Sequence, residues 1–105
     1  MLEFEGVRYT LRFSQKRIEM IEAVTNMPTM AELSRTKGFL SLSALKTYFA
    51  YALKYQDEES GGGYVNVKKG MDICTKLIDG EGYEAVCMLV LEALERGCPF
   101  FFPRD

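Results

Sequence analysis

The chain has 105 residues and suits one domain with a modest core. Thirteen basic against fifteen acidic side chains leave a net charge of −2, which argues against a nucleic-acid binder, and the lack of any histidine removes the usual general base, the commonest metal ligand and the physiological pH switch. Cys74, Cys87 and Cys98 have no CxxC spacing and predict reduced thiols, no apolar run reaches the ~20 residues of a membrane span, and the alternating start MLEFEGVRYTLRF is unlike a signal peptide.

Apolar residues alternate at the start: Leu2 and Phe4, then Val7, Tyr9, Leu11 and Phe13. Strands over 2–5 and 7–13 follow, joined at Glu5-Gly6. That loop sets Phe4 opposite Val7, Leu2 opposite Tyr9 and Glu3 opposite Arg8, with the apolar side chains on one face. Leu11 to Phe13 then lack a local partner, and a bare hairpin must pack on helices.

From Ser14 the period changes to three or four. Ser14 is the expected N-cap of a helix over 15–26 carrying Ile18, Met20, Ile21, Val24 and Met27. Pro28 stops it. Thr29 and Glu32 have capping-box spacing for a short helix over 30–36, ended by Gly38. Ser41 or Ser43 opens a helix over 43–55 with the stripe Leu45, Tyr48, Phe49, Ala52 and Leu53. QDEESGGG at 56–63 reads as a mobile linker. Asn66 caps a helix over 67–79 whose inner face is Val67, Gly70, Met71, Cys74, Leu77 and Ile78. Gly80 and Gly82 bracket a tight joint. The last helix spans 83–96, with Gly97 as its C-cap. Its apolar residues, Leu91 among them, cover more than half its circumference, so it is either central or covered by a partner. The fold class expected is α+β: a mostly helical single domain with an N-terminal β-hairpin.

No arrangement of residues predicts catalysis. Asp57, Glu58 and Glu59 lie in the linker, and Asp72, Asp79 and Glu81 are spread along a helix and its end. Cys74 and Cys87 fall on apolar helix faces, and Cys98 follows a helix C-terminus, where the dipole disfavours a thiolate. The glycines before Lys68 and Lys69 lack the spacing of a phosphate loop. No catalytic residue, metal or cofactor is expected.

Two surface features point to protein contacts. Arg8, Arg12, Lys16 and Arg17 cluster on the hairpin's outer face and the first helical turn, where Lys16 and Arg17 oppose the helix dipole. Glu84, Glu92 and Glu95 share the narrow polar face of the last helix. These are either two solvated faces or a basic and an acidic patch that meet between subunits. The other feature is Phe100, Phe101 and Phe102 between Pro99 and Pro103. As an extended segment it sends Phe101 one way and Phe100 and Phe102 the other. It is then either an interaction element or a tail folded back along the unpaired end of strand two. Met88 and Leu91 join these aromatic and charged residues as candidate contacts, since methionine suits adaptable surfaces.

The order of elements, with the phrases VRYTLRFSQKRIEMIE, ALKTYFAYALK, KKGMDICTKLID and EGYEAVCMLVLEAL and Gly82-Tyr83 before the last helix, resembles the small tail assembly chaperones of long-tailed bacteriophages and prophages. The resemblance covers nearly the whole chain. Asn66-Val67-Lys68-Lys69 departs from the acidic first turn expected at that helix start. The resemblance implies a protein that is not an enzyme, binds the tape measure protein, keeps its apolar helices soluble and helps recruit tail tube subunits. It also implies the host bacterial cytoplasm and a longer frameshifted form made alongside. Self-association into a homo-oligomer is expected from the wide apolar stripe of the last helix, and the net charge and the lack of a membrane span argue against nucleic acid and membrane as partners. The alternative is a structural tail or head-tail joining subunit that stays in the virion.

Overall fold

The computed structural model describes residues 2–56 and 63–102. Residues 57–62 of the expected mobile linker therefore lie outside the described residues. The order is β1 (Leu2–Phe4), β2 (Val7–Leu11), α1 (Gln15–Thr25), α2 (Thr29–Thr36), α3 (Leu42–Ala52), β3 (Leu53–Tyr55), α4 (Val67–Glu81) and α5 (Tyr83–Gly97). The fold is α+β, five helices with a three-stranded antiparallel sheet in the order β1-β2-β3.

The hairpin register is the one expected, Leu2 with Tyr9, Glu3 with Arg8 and Phe4 with Val7. Glu5 and Gly6 both have positive φ, as a two-residue hairpin turn of matching twist requires. Beyond the hairpin the sequence reading needs correction. The third helix does not run to residue 55: it stops at Ala52, and Leu53–Tyr55 pairs with β2, placing Tyr9 beside Tyr55 and Leu11 beside Leu53. β2 is the middle strand, and its edge opposite β1 would otherwise bury unpaired backbone groups. β3 supplies their partners, and the Arg12 amide donates to the Ala52 carbonyl at 2.8 Å. Strand pairing ends at Leu11, two residues early, although Phe13 is buried.

Three caps follow the sequence. Ser14, Ser41 and Asn66 accept from the amides of Arg17, Ala44, and both Lys68 and Lys69. Asn66 therefore starts α4 at Val67 despite the absence of an acidic first turn. The capping box at Thr29 and Glu32 does not form. Pro28 occupies the N-cap position with no side-chain bond, and Glu22 of α1 reaches over to accept from the Thr29 amide at 2.7 Å. Thr29 is buried, with its hydroxyl accepting from Tyr48 at 2.9 Å. Glu32 instead takes Arg35 at 2.7 Å.

The central helix is α3, not α5. It packs on α1, α4, α5 and β2, and all five residues of the expected stripe are buried, with Thr47 and Ala50 besides. Gly70 lets α4 approach it: a Cβ there would stand 2.9 Å from the Ala50 Cα. In α4 the deepest positions are Gly70, Ile73 and Cys74, while Val67, Met71, Leu77 and Ile78 are only half-buried. In α1, Ile18 and Ile21 reach the core, whereas Met20 and Val24 face out. Gly97 is the last residue of α5 instead of its cap. Its lack of a side chain admits Phe13, whose carbonyl oxygen would lie 3.1 Å from an added Cβ. Among the described residues no helix is long and apolar enough to cross a membrane.

Candidate protein-binding site

The site is built on the outer side of α5 and the turn between α2 and α3. Lys37 and Gly38 both take positive φ after α2, which reverses the chain. The next two residues then divide: Leu40 enters the core at 1 % exposure and Phe39 stands out at 65 %. Two bonds hold this turn against α5. The Tyr83 hydroxyl donates to the Leu40 carbonyl at 2.6 Å, and the Cys87 thiol donates to the Gly38 carbonyl at 3.4 Å. Burial, then the neighbouring Cys87 and Glu84, push the Tyr83 phenol up to about 12, so it remains a donor across the physiological range.

Between turn and helix lies an open cleft of ≈ 280 Å³, lined by Lys37, Gly38, Phe39, Tyr83, Glu84, Cys87, Met88 and Leu91. Its walls are mainly apolar, and its charges, Lys37 and Glu84, are few. Phe39 and Met88, the latter 53 % exposed, leave apolar surface facing water beside it. One wall is fixed by hydrogen bonds and the other carries an adaptable methionine. That pairing suits an apolar helix or strand edge better than a small polar ligand.

Of the residues expected from sequence, Met88, Leu91 and Glu84 belong to this neighbourhood. The wide apolar stripe of α5 divides: Val86, Cys87, Val90, Ala93 and Leu94 are core, Leu91 is half-buried, and Leu89 is at the surface, as is Met88. Glu92 and Glu95 are exposed farther along the same helix.

The aromatic tail does not line the cleft. It is also not extended: the amides of Phe101 and Phe102 both return to the Cys98 carbonyl, at 2.9 and 3.0 Å, making a turn. Phe101 and Phe102 pack partly buried on the core, and Phe100 alone is exposed. The three rings contact in sequence, with centroids 4.9 and 6.4 Å apart. Among the described residues the tail forms no ladder with β2, whose strand partners are β1 and β3.

The basic residues come together in part. Strand alternation directs Arg8 and Arg12 away from the core, and both are exposed, as is Lys16. Arg17 lies with its guanidinium 3.6 Å from the centroid of the Tyr64 ring. An aromatic face, rather than an acidic group, thus offsets its unfavourable place in the first turn of α1. Sequence reasoning missed Phe39, Tyr64 and Lys54. Phe39 gives no periodic signal because it sits in a turn, and Tyr64 gains its place only through the bridge to Lys54 in a strand read as helix. No family model matches this chain, and no curated protein or solved structure is found to be similar to it.

Proposed function

We propose that this chain is a non-catalytic binding protein, a tail assembly chaperone of a long-tailed phage or prophage. It takes an apolar helical segment of the tape measure protein into the cleft between Phe39 and Met88. Binding there keeps the client soluble in the host cytoplasm until tail tube subunits assemble around it. The observation that carries the reading is the apolar cleft itself, whose outer residues stay exposed although the core beneath is complete. Exposed apolar surface beside a fixed wall is the physical requirement for holding a helix that water rejects. The resemblance in sequence order supplies the identity of the client.

The test is coexpression with a helical fragment of the tape measure protein, followed by titration of the purified partners. Phe39→Asp with Met88→Asp should leave the circular dichroism spectrum unchanged and weaken binding at least about tenfold, as loss of central apolar anchors does. Binding unaltered by that pair would sink the cleft as the client site. Proteomics of purified virions separates the chaperone, which should be absent from the particle, from a structural tail subunit, which should be present.

A further inference from the structure

The helix α2 is seated the wrong way round for its composition. Its two buried residues are Thr29 and Glu32, whereas Met30 stands 42 % exposed and Ala31 is exposed as well. A helix held by the hydrophobic effect turns its apolar stripe inward. In α2 the half-buried Leu33 packs on the core. The rest of what fastens the helix is polar. The Tyr48 hydroxyl donates to the Thr29 hydroxyl at 2.9 Å, and the Thr29 amide donates to the Glu22 carboxylate at 2.7 Å. Glu32, 7 % exposed, takes Arg35, whose own side chain is 66 % exposed. That pair lies within α2 and ties it to nothing else. Such bonds hold a helix weakly, because water replaces them when it lifts, and lifting also returns the Glu32 carboxylate to water.

Both ends of α2 are jointed. Asn26 closes α1 with φ of 56°, and Lys37 and Gly38 follow α2 with φ of 56° and 86°. Terminal residues of this kind absorb a hinge motion. Beyond the second joint the chain is pinned again, since the Gly38 carbonyl accepts from Cys87 and the Leu40 carbonyl from Tyr83. A displacement of residues 27–37 therefore stops short of Phe39 and leaves that wall of the cleft standing. Lys37, the C-cap of α2, is itself a lining residue of the cleft. Thr29 lies about 12 Å back along the helix, against Tyr48. The seat of α2 is thus a helix-shaped groove that adjoins the cleft.

We infer that α2 is a placeholder, a helix that keeps a seat for an apolar client helix and yields it when the client arrives. This exchange rests on the client reading of the adjoining cleft and extends it to a second surface. An apolar helix buries more there than α2 does, because α2 gives its deepest positions to Thr29 and Glu32. In the absence of client, α2 keeps water from Tyr48 and the core around it, and the chain carries less exposed apolar surface. Two helices compete for one seat, so the apparent affinity for the client is set by the fraction of time that α2 is lifted.

Native-state hydrogen exchange of the full chain, read by NMR, tests the placeholder without and then with a helical peptide. The peptide is an amphipathic sequence of leucine, alanine and glutamine, about twelve residues long, one turn longer than α2. Without it, the α2 amides should exchange to a common extent and at least about 100-fold faster than those of Tyr48 and Phe49 in α3. Saturating peptide should abolish protection in α2 and leave α3 protected. Tyr48→Phe and, separately, Glu22→Ala each remove one of the two fastenings at Thr29. Each should raise the opening of α2 about fivefold and tighten peptide binding by the same factor, because one equilibrium governs both. If Tyr48→Phe does not fold, Glu22→Ala provides the comparison. Equal protection of α2 and α3 in wild type overturns the inference. So does opening that neither variant raises, affinity unchanged in a variant whose α2 opens more often, or peptide that saturates the protein while α2 stays protected. In the last case the cleft still stands if Phe39→Asp with Met88→Asp weakens the peptide. Peptide that lifts α2 but binds that double variant as well as wild type supports the placeholder and overturns the cleft. A peptide that does not bind wild type overturns both.

Discussion

Glu5 is a residue at odds with its backbone. It has φ of 50° in a turn whose second residue, Gly6, has φ of 80°. Asparagine tolerates that left-handed conformation better than glutamate. Glu5→Asn is expected to stabilise the fold by about 0.5 kcal/mol and to raise Tm by roughly 2–4 °C, measurable by calorimetry. No change would show that Glu5 makes a compensating contact. The cysteines give a second residue-level expectation. Burial raises the Cys74 thiol from 9.0 to about 12, Lys46 opposing, and the Cys98 thiol from 9.0 to about 11. Below pH 9 both states are protonated and the thiols contribute no pH dependence. Above it the unfolded chain loses protons that the folded chain keeps, so the unfolded state binds fewer and stability falls as pH rises from 9 to about 11 for Cys98 and to about 12 for Cys74. Denaturation midpoints at about pH 8 and about pH 10 should therefore differ, with the drop reduced in Cys98→Ala relative to wild type. Local capping was legible where a cap lies within three residues of its target, as at Ser14, Ser41 and Asn66. It was illegible at Thr29, whose amide is satisfied from another helix seven residues back.

The elements show the same division between local and distant signals. Both hairpin strands, their register and the positions of the helices came from periodicity, which each segment carries within itself. β3 did not. Leu53-Lys54-Tyr55 continues the apolar spacing of α3, so helix and strand fit the local sequence equally well, and the decision lies with the second edge of β2 some forty residues earlier. A buried strand with one edge unpaired asks for a partner without naming one. In the binding site, Leu91 was readable from the excess width of the α5 stripe and Met88 from the suitability of methionine for adaptable surfaces, whereas Phe39 depends on how the turn is pinned by Tyr83 and Cys87. β3 also has a testable weight. It pairs with β2 on one side, and on the other the Val65 amide donates to the Leu53 carbonyl at 2.9 Å and the Tyr55 amide to Gly63 at 3.0 Å. Proline is poorly tolerated inside such a strand. Lys54→Pro should cost about 3 kcal/mol, with loss of amide protection at Arg12 and Val65 in hydrogen exchange. Retained protection would mean that the helix, not the strand, is the stable state of these residues.

At the scale of the whole molecule the aromatic tail belongs partly to the core and only partly to the surface. α5 ends at Gly97, Cys98 is fully buried, and the turn that follows presses Phe101 and Phe102 onto the same cluster that holds Leu94 and Phe13. An extended interaction arm would be cheap for the folded chain to lose. A turn that half-buries two rings is not: full burial of one ring is worth roughly 2–3 kcal/mol, so two half-buried rings amount to about 2–3 kcal/mol together. Truncation after Pro99 should therefore leave a folded, helical protein whose Tm is lower by roughly 10 °C or more, a shift of the size expected when a domain of this length loses about 2 kcal/mol. Phe100→Ser, which removes only the exposed ring, should shift Tm by no more than a few degrees. It therefore separates surface from core within the tail. If truncation left Tm unchanged, the tail would contribute nothing to the core and its contacts in the monomer would be incidental. If Phe100→Ser cost as much as the truncation, the exposed ring would be the stabilising one, and the assignment of Phe101 and Phe102 to the core would be wrong.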